Sequence, residues 1–588
     1  MPQAPAWIRV GPVDDLRKKV VTVLQGSDRP ISIWSSNGAF CAVDNRCPHL
    51  GFPLHKGTLK DGILTCQWHQ ARFDLCSGCT FDTWADDVPS FETKVEDGAL
   101  FVAATPRQRP DREYHLRRLR QGLRQNIALL QAKAIVGLLH AKTPPAEIIR
   151  EIARFAVDHA STPTGITELA ITGNLLSVLS EETTYLLLLR SARAIAQAAA
   201  SSVRRMPLEP LDVEGEGAGT HSPELLKRWL RQWIAARDRD GTERILRTAA
   251  ASAEPPLVAE MLFAAVSDQV YRGQGHQLDF SNKQIELLDQ IGWEFAPSIL
   301  ALNIDPILAG RGTEESAAWH EPIQILAPLR AAEAQLPALL QKPCRLNWSS
   351  TTLATTLLAD DPLAIIAALR DALADGAPPS ELSKRIAYAA GMRLARFATS
   401  NEVGDWFNPQ HTFTFANAVH QAVKRSPTPD VVRSIFHAAL SVYMDRFLNV
   451  PPARLPGETP QSAAQLESLP TDPNTLRTDI LKTLDQQSNL TLAADLVVRY
   501  LRLKHPLAAL VDTLALATVR EDLDFHTLQV LEAAYQQARE WPDQPESEHL
   551  FVAAIRDLAA FCPTRRAQLK TATTAVRLDK GEKIYEET

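Results

Sequence analysis

The spacing of hydrophobic residues changes abruptly about a sixth of the way along the chain. Up to residue 104, hydrophobic and β-branched residues form short runs that are separated by turn sequences such as SNG at 36–38 and EDG at 96–98. Such runs predict β-strands. The predicted strands are Val20–Leu24, Ile31–Trp34, Phe40–Val43, Ile63–Thr65, Phe91–Val95 and Leu100–Ala103. Strands so closely spaced are typical of a small sandwich or barrel.

Beyond this segment the pattern becomes helical. Residues 105–113, TPRQRPDRE, are polar and contain two prolines, which predicts a linker. Hydrophobic residues then recur every three or four positions, at Leu116, Leu119, Leu123, Ile127, Leu130 and Ala134. Alanine and leucine dominate from there to the end. The chain is therefore predicted to be multidomain, with an all-β domain at 1–104 and a large all-α domain at 114–588.

Length and charge narrow the classes of function. A chain of 588 residues exceeds the roughly 250–300 residues at which a single core stops growing. The net charge of −7 gives no indication of a nucleic-acid partner. No apolar stretch approaches the roughly 18–20 residues of a membrane span, and the N-terminus lacks the pattern of a secretory signal. We therefore expect a cytoplasmic protein.

Two loops inside the β-rich segment carry paired metal-ligand residues. CPHLGFPLH at 47–55 and CQWHQARFD at 66–74 supply Cys47, His49, Cys66 and His69. Two thiolates suit one iron of a [2Fe–2S] cluster, and two neutral imidazoles suit the other iron and raise the reduction potential. Because each loop supplies one cysteine and one histidine, neither loop alone could hold the cluster.

These motifs resemble those of Rieske ferredoxins, since CPHLG and CxWHxxRFD are both present. The resemblance covers the first 104 residues and implies a [2Fe–2S] cluster and electron transfer. A zinc site is the competing interpretation, because two cysteines and two histidines also form a zinc set. A zinc finger, however, pairs cysteine with cysteine and histidine with histidine, whereas each loop here mixes the two. The spacing favours the Rieske interpretation.

Several positions depart from the pattern of high-potential respiratory Rieske proteins. Those proteins have a cysteine in each loop, joined as a disulfide, where this chain has Phe52 and Trp68. They also place serine and tyrosine hydroxyls near the sulfur atoms, where this chain has Ala71 and Phe73. Because donors near sulfur stabilise the reduced cluster, we expect a low potential, as in ferredoxin or oxygenase centres. Gln70 replaces a usual glycine and could alter the rim beside His69.

The remaining cysteines suggest no disulfide framework, because seven cysteines are an odd number scattered over a long chain. Cys76 and Cys79 flank a Ser-Gly turn and could form a redox-active or metal-binding pair. No second pair lies nearby, so a hairpin turn that carries two thiols is the favoured interpretation. The others are expected to be packing residues: Cys41, Cys344 and Cys562.

A weak internal repeat runs through the helical region. Four times a proline opens an alanine-rich helix, at 144–156, 255–266, 378–390 and 506–517. Twenty residues beyond the last proline of the opening come Gly165, His276 and His526, while in the third unit His411 comes thirty-two beyond. Six residues after the histidines stand Asn282, Asn417 and Glu532. Equivalent positions in successive units can face a common interior.

Three histidines at matching positions could converge on one metal. Imidazole suits iron, copper or zinc, and a carboxylate such as Asp279 or Glu286 could complete the site. The alternative is that the histidines cap helices or form local hydrogen bonds, far apart on one rim. Further candidates are His159, His420 and His437, each of which could equally be an ordinary packed or surface residue.

The helical region lacks the motifs of related redox enzymes. It has no Asp-x-x-His-x4-His, which binds the mononuclear iron of ring-hydroxylating oxygenases, and no Gly-x-Gly-x-x-Gly dinucleotide motif. Its alanine-rich repeats with spaced histidines are faintly similar to the questin-oxidase-like family of helical oxidative enzymes. No residue of that family can be carried over to a position here.

Two functions remain open at this stage. In the first, the Rieske cluster receives electrons from a reductase or ferredoxin and passes them to O2-dependent oxidation of a small organic substrate, at a second metal in the helical domain. In the second, the helical domain is a non-enzymatic docking or sensing scaffold that binds a redox partner. The sequence assigns no catalytic residue, substrate or oligomeric state. The content of a second metal would distinguish the two.

Overall fold

The computed structural model describes residues 6–24, 29–36, 38–107, 111–159, 162–201, 206–211, 221–398, 400–486 and 489–582. Residue 37 of the SNG turn and residues 108–110 of the predicted linker lie outside these ranges. Two compact units divide the chain. The first comprises residues 1–148 and 567–588, and the second comprises residues 149–566.

Two antiparallel sheets form the β part of the first unit. The strands are β1 (Trp7–Pro12), β2 (Val21–Leu24), β3 (Ile31–Ser36), β4 (Ala39–Asp44), β5 (Thr58–Lys60), β6 (Ile63–Thr65), β7 (Arg72–Asp74), β8 (Ser90–Glu96) and β9 (Ala99–Pro106). The larger sheet has the order β1-β9-β8-β4-β3-β2, and the smaller has the order β5-β6-β7. The six predicted strands are present, with β1, β5 and β7 in addition.

The smaller sheet and the loop after β4 enclose one apolar core. Its buried members include Trp34, Val43, Leu54, Leu64 and Phe73. Cys47 and Cys66 belong to the same core. The first ligand loop leaves β4, and the second joins β6 to β7, so both loops are anchored at each end by packed strands.

Three expectations about the cysteines were wrong: that Cys41 and Cys344 are packing residues, and that the turn at 76–79 carries two thiols. Cys41 on β4 forms a disulfide with Cys76, with their Cα atoms 5.0 Å apart. The turn at 76–79 therefore carries one bridged cysteine and one exposed free thiol, Cys79. Cys344 is exposed rather than packed, whereas Cys562 is buried as expected. The pairing depends on β4 lying beside the turn, which cysteine spacing cannot reveal.

Helices also belong to the first unit: α1 (Val13–Arg17), α2 (Arg112–Arg124), α3 (Ala128–His140) and, from the end of the chain, α26 (Ala567–Asp579). The division between the units falls inside α4 (Pro145–Asp158) and not at the linker expected at 105–113. Helices α2 and α3 belong with the β part of the first unit because Arg118 on α2 and Lys133 on α3 both form ion pairs with Asp86. Asn126, with a φ of 52°, separates α2 from α3.

The second unit is helical. Its helices after α4 are α5 (Pro163–Leu175), α6 (Glu181–Ser201), α7 (Pro223–Ala235), α8 (Arg239–Ser252), α9 (Pro255–Val266), α10 (His276–Ile291), α11 (Ala296–Ile299), α12 (Ile304–Ala309), α13 (Leu326–Glu333), α14 (Leu336–Leu339), α15 (Leu353–Leu357), α16 (Pro362–Ala374), α17 (Pro379–Ala395), α18 (Phe407–Arg425), α19 (Pro429–Met444), α20 (Pro460–Ser468), α21 (Pro473–Thr483), α22 (Leu490–Arg502), α23 (Leu507–Val519), α24 (Phe525–Ala538) and α25 (Pro545–Phe561). None of the helices in the described ranges has both the length and the apolar character required to cross a membrane.

The repeat expected from the sequence has a counterpart in the helices. Each proline opening begins a first helix, namely α4, α9, α17 or α23. The next α-helix along the chain carries the position that matches between the repeats. These second helices, α5, α10, α18 and α24, pack in a ring in which each contacts the next. Two hydrogen bonds between α10 and α24 join Asp279 to Gln529 and Lys283 to Glu532. Because the residue numbers increase in the same direction on both helices, α10 and α24 run parallel.

Candidate cluster site and metal centre

The two ligand loops of the first unit have the same backbone geometry. In each loop the cysteine N–H donates to the carbonyl five residues on, and the cysteine carbonyl accepts from the N–H four residues on. The bonds are Cys47 to Phe52 at 2.8 Å and Gly51 to Cys47 at 2.7 Å, then Cys66 to Ala71 at 2.8 Å and Gln70 to Cys66 at 3.0 Å. Gly51 and Gln70 both have positive φ, 82° and 64°. Two equivalent half-sites therefore face each other.

Backbone donors surround both cysteine sulfur atoms. The N–H groups of His49 and Leu50 donate to Cys47, and those of Trp68 and His69 donate to Cys66. A hydrogen bond between the two thiols raises the pKa of Cys47, and burial adds to that rise. The same bond lowers the pKa of Cys66 to about 6. Cys66 is therefore favoured as a thiolate, with the Cys47 thiol hydrogen-bonded to it.

The two histidines of the loops stand beside the sulfur pair. Their ring centroids are 4.9 Å apart. The Nδ1 atom of His49 is buried and makes no hydrogen bond within the described part of the chain. Burial, and then the charge of Lys133, lower the pKa of His49 to about 4, which keeps this imidazole neutral. An orphaned neutral nitrogen and a buried thiol pair fit a cluster with mixed nitrogen and sulfur ligands.

The surroundings of the four side chains match the departures noted in the sequence. Ala71 and Phe73 are fully buried and bring no hydroxyl to the sulfur atoms. Phe52 and Trp68 form an aromatic contact across the two loops, with ring centroids 5.8 Å apart. Residues 6–92 also match the family model of the Rieske [2Fe–2S] domain. The N-terminal segment belongs to the Rieske [2Fe–2S] family.

Several known proteins are similar to a short stretch of this chain. Apoptosis-inducing factor 3 of Homo sapiens is 39% identical over 70 residues, which are 12% of this chain and 12% of that protein. The ferredoxin component of the alkene monooxygenase system of Xanthobacter autotrophicus is 30% identical over 101 residues, or 17% of this chain and 83% of the relative. The solved ferredoxin of carbazole 1,9a-dioxygenase from Nocardioides aromaticivorans IC177 is 22% identical and has a TM-score of 0.16, covering 17% of this chain and 97% of that one.

Outside the Rieske segment, the three matching histidines of the helical unit come together. His276, His411 and His526 stand at or near the N-terminal ends of α10, α18 and α24. One nitrogen from each lies within 4.8 Å of the others. The Nε2 atom of His526 is 3.2 Å from that of His276 and 2.9 Å from that of His411. Two nitrogen ligands that each lie about 2.0–2.1 Å from one metal ion are separated from each other by distances similar to these nitrogen–nitrogen distances.

Two of the histidines have an oxygen atom beside their outer nitrogen. His276 Nδ1 lies 3.1 Å from the Gly273 carbonyl, which can hold a proton on that nitrogen. His526 Nδ1 lies 3.0 Å from a carboxylate oxygen of Asp524 but forms no hydrogen bond among the described residues. The Nε2 atoms of the two rings face each other at 3.2 Å, a separation that two ligands of one metal ion also have.

The backbone before His276 is strained. Tyr271 and Gln274 have φ values of 45° and 57°, in the left-handed region that side chains with a Cβ rarely adopt. Gly275, with a φ of 88°, is in close contact with Phe415, where an added Cβ would approach the Phe415 Cβ to 2.7 Å. Strain of this kind persists where the surrounding structure demands one geometry, as at ligand sites.

The three imidazoles lie among phenylalanines, and two of them have lowered pKa values. Burial lowers the pKa of His276 to about 4 and that of His411 to about 3, with the neighbouring imidazoles adding to the effect. The nearest rings include Phe525, 4.0 Å from His526 between centroids, and Phe280, 4.9 Å from His276. Phe407 lies 5.6 Å from His526. The arrangement suits a metal ion with three imidazole nitrogen ligands in a largely apolar surrounding.

The carboxylates proposed from the sequence do not join this group of ligand atoms. Asp279 lies one helical turn beyond His276 and accepts a hydrogen bond from Gln529 Nε2 at 2.5 Å. Glu286 accepts from Lys283 Nζ at 2.8 Å. The further candidates make local contacts instead. His159 bonds to the Phe155 carbonyl, His420 to Ser383, and His437 to Glu333.

Sequence reasoning missed the residues that support the histidines. Asp524 precedes α24 and caps it by accepting from the His526 N–H. An Asp-x-His spacing at a helix start was the available signal. Asp557 on α25 accepts from Gln410, the residue before His411, at 2.6 Å. No spacing indicates that contact, because it joins helices that are distant in the sequence.

Proposed function

We propose that this chain is an oxidoreductase in which the Rieske cluster, held by Cys47, His49, Cys66 and His69, delivers electrons to a second metal centre at His276, His411 and His526. The observation that carries the proposal is the convergence of three imidazoles from three matching helices. A bound non-haem iron would supply the capacity to activate O2 and exchange single electrons. Three protein ligands leave open coordination positions for O2 or substrate.

The number of electrons that a monooxygenation consumes is consistent with a Rieske cluster as the donor to the second metal centre. Insertion of one oxygen atom into an organic substrate RH follows RH + O2 + 2e− + 2H+ → ROH + H2O. A [2Fe–2S] cluster carries one electron at a time, so each turnover needs two deliveries from an external reductase or ferredoxin. Fusion of donor and acceptor in one chain replaces a bimolecular encounter with an effective concentration set by the connection.

The residues of the helical unit have separate tasks in this scheme. His276 and His526 would offer Nε2 to the metal, while the Gly273 carbonyl and the Asp524 carboxylate lie beside their Nδ1 atoms. The phenylalanines near the imidazoles reduce access of water to the centre. A small apolar organic substrate suits such a surrounding better than a charged one.

Metal analysis of the anaerobically purified chain tests the proposal. The intact protein is expected to contain iron beyond the two atoms of the cluster, together with two labile sulfides. Single substitutions His276→Ala, His411→Ala and His526→Ala should each remove the additional metal and leave the paramagnetic signal of the Rieske cluster unchanged.

A matched control uses histidines with local partners. His420→Ala and His437→Ala remove histidines of the same unit that contact Ser383 and Glu333, and they should retain the additional metal. If the wild type holds no metal besides the cluster and binds none when ferrous iron is added, the proposal fails. A docking or sensing role for the helical unit would then be the better interpretation.

A further inference from the structure

The fourth helix of the ring, α5, carries no histidine at the matching position. Gly165 stands there instead, and an added Cβ would lie 2.6 Å from Cγ1 of Ile195 on α6. Because α5 and α6 pack this closely, an imidazole does not fit at position 165. The proposed function gives α5 and α6 no part in the metal centre, although both helices contribute to a buried ion pair next to it.

This ion pair joins Glu168 on α5 to Arg190 on α6. The two residues are 5% and 4% exposed, and Nε and Nη2 of Arg190 lie 3.1 and 3.0 Å from the same Glu168 oxygen, Oε1. Glu168 Oε2 and Arg190 Nη1 are buried and have no hydrogen-bond partner among the described residues. The desolvation of a buried ion pair offsets much of its attraction, so stability is a weak explanation for such a pair. A role in fixing local geometry explains it better.

Arg190 reaches the segment that leads into the third ligand histidine. Its Nη2 donates to the carbonyl of Leu523 at 2.9 Å and to the carbonyl of Asp524 at 2.7 Å. Asp524 is the N-cap of α24, and its carboxylate accepts from the His526 N–H at 3.0 Å. The backbone from which His526 projects is therefore held by a side chain of α6, which is in turn oriented by a side chain of α5.

We propose that Arg190, oriented by Glu168, is a positioning residue of the three-histidine centre. It fixes the backbone at Leu523 and Asp524, and thereby holds the Nε2 atom of His526 in the place where it can share a metal ion with the other two imidazoles. This inference rests on the proposed function, since it requires the metal. Arg190 itself contacts neither the metal nor the substrate.

His526 is the member of the group whose position matters most. Its Nε2 atom lies 3.2 Å from that of His276 and 2.9 Å from that of His411, so it takes part in both of these close nitrogen–nitrogen distances. A displacement of His526 changes both distances at once. Support for this one imidazole therefore controls the geometry of the whole ligand set.

The other two histidines are fixed by their own surroundings. His411 is the fifth residue of α18 and follows a full turn of helix. His276 begins α10 directly after Gly275, which is in close contact with Phe415. His526, by contrast, is the second residue of α24, so no helical turn precedes it. Its position depends on the capping segment that Arg190 holds.

Titration of Co2+ into the full chain, with the cluster loaded and oxidised and the helical site metal-free, tests the proposal. The oxidised cluster is diamagnetic, so the electron paramagnetic resonance signal of high-spin Co2+ reports both the affinity and the ligand geometry. Arg190→Ala should raise the Kd for Co2+ about 10–100-fold, as loss of a residue that orients a metal ligand typically does, and should alter the signal at saturating metal. Arg190→Lys keeps a donor but not the planar fork, so its Kd should fall between those of the wild type and Arg190→Ala.

Arg393→Ala is the matched control for loss of stability. Arg393 on α17 is also buried, at 7% exposure, and also donates to two carbonyls, those of Val442 and Leu358, at 3.0 and 3.1 Å. The segments that it holds carry no histidine of the centre. Its substitution should lower the free energy of unfolding, as Arg190→Ala should, but should leave the Kd and the Co2+ signal unchanged.

The outcomes separate this inference from the proposed function. An unchanged Kd and signal in Arg190→Ala, or an equal loss of affinity in Arg393→Ala, would overturn the positioning role and leave the metal centre intact. Absence of wild-type Co2+ binding that is lost in His411→Ala would overturn the proposed function and this inference together.

Discussion

Phe52 and Trp68 contact each other across the two cluster loops, with their ring centroids 5.8 Å apart. Each side chain comes from a different half-site, so the contact joins the two loops, as the contact between His49 and His69 also does. An aromatic pair contributes roughly 0.5–1.5 kcal/mol beyond the apolar area that it buries. In this domain it stands where respiratory Rieske proteins have a disulfide.

The first prediction concerns that aromatic contact. A double-mutant cycle of Phe52→Leu and Trp68→Leu should give a coupling energy of about 0.5–1.5 kcal/mol in the free energy of unfolding, because each change alone removes the same contact. The rate of cluster loss, followed by visible absorbance, should rise in either single variant. A second double-mutant cycle, of Phe81→Leu with Trp68→Leu, serves as the comparison, because Phe81 is exposed. A coupling near zero for Phe52 and Trp68 would mean that the contact does not hold the loops together.

A second prediction concerns Lys133 on α3. Its ammonium donates to the Pro48 carbonyl in the first ligand loop and lies 2.8 Å from a carboxylate oxygen of Asp86. A positive charge beside the cluster favours the reduced state, so Lys133→Met should lower the midpoint potential, by an amount on the order of tens of millivolts. Lys142→Met, at an exposed position just beyond α3, should leave the potential unchanged. An equal shift in both variants would point to a general effect of net charge.

The third prediction concerns the hydroxyl groups that the cluster loops lack. Ala71→Ser and Phe73→Tyr place donors at fully buried positions beside the sulfur atoms. If each hydrogen bond favours the reduced cluster by about 1.4 kcal/mol, the midpoint should rise by about 60 mV per donor. Ala71→Val and Phe73→Leu control for the change in shape. A potential that stays constant or falls in the Ser and Tyr variants would contradict the hydrogen-bond argument.

The fourth prediction concerns acid stability of the metal-free chain. An unfolded imidazole has a pKa of about 6.5, whereas the folded pKa is about 4 for His276 and about 3 for His411. The unfolded state therefore binds more protons below about pH 6.5, and stability falls as the pH drops from there towards 4. Each histidine should contribute a loss of about 2–3 kcal/mol by pH 4.5.

Urea unfolding at pH 7 and pH 4.5, followed by helical circular dichroism, measures this loss. His411→Gln should lose about 2–3 kcal/mol less stability than the wild type between the two pH values. The exposed His320, changed to Gln, should behave like the wild type. Equal acid sensitivity in His411→Gln and the wild type would show that this imidazole does not resist protonation.

Much of the β domain could be predicted because its strands are bounded by turn residues. The strands that were missed are those with a weak pattern. β7 spans only Arg72–Asp74, one buried phenylalanine between two charged residues, and nothing local marks it as a strand. It forms by pairing with β6, in the register Leu64 with Phe73, which is a tertiary contact.

The candidate metal centre was predictable to the extent that it follows from a repeat. Matching offsets identified His276, His411 and His526 because equivalent positions in a ring of equivalent helices face one interior. The supporting residues follow no such rule. Gln529 and Asp279 are 250 residues apart, and Gln410 and Asp557 are 147 apart, so only the packing of the helices brings them together.

The return of α26 to the first unit has a consequence for biosynthesis. In the folded chain α26 packs on α3, and Arg46, the residue before Cys47, donates a hydrogen bond to the Gly581 carbonyl. More than four hundred residues separate the end of α3 from the start of α26. At roughly 5–20 residues per second, a ribosome needs about 20 to 90 s to make that stretch. Throughout that interval the nascent Rieske domain would carry an uncovered apolar helix face, so iron–sulfur assembly factors and chaperones would meet it in a form that the finished protein no longer presents.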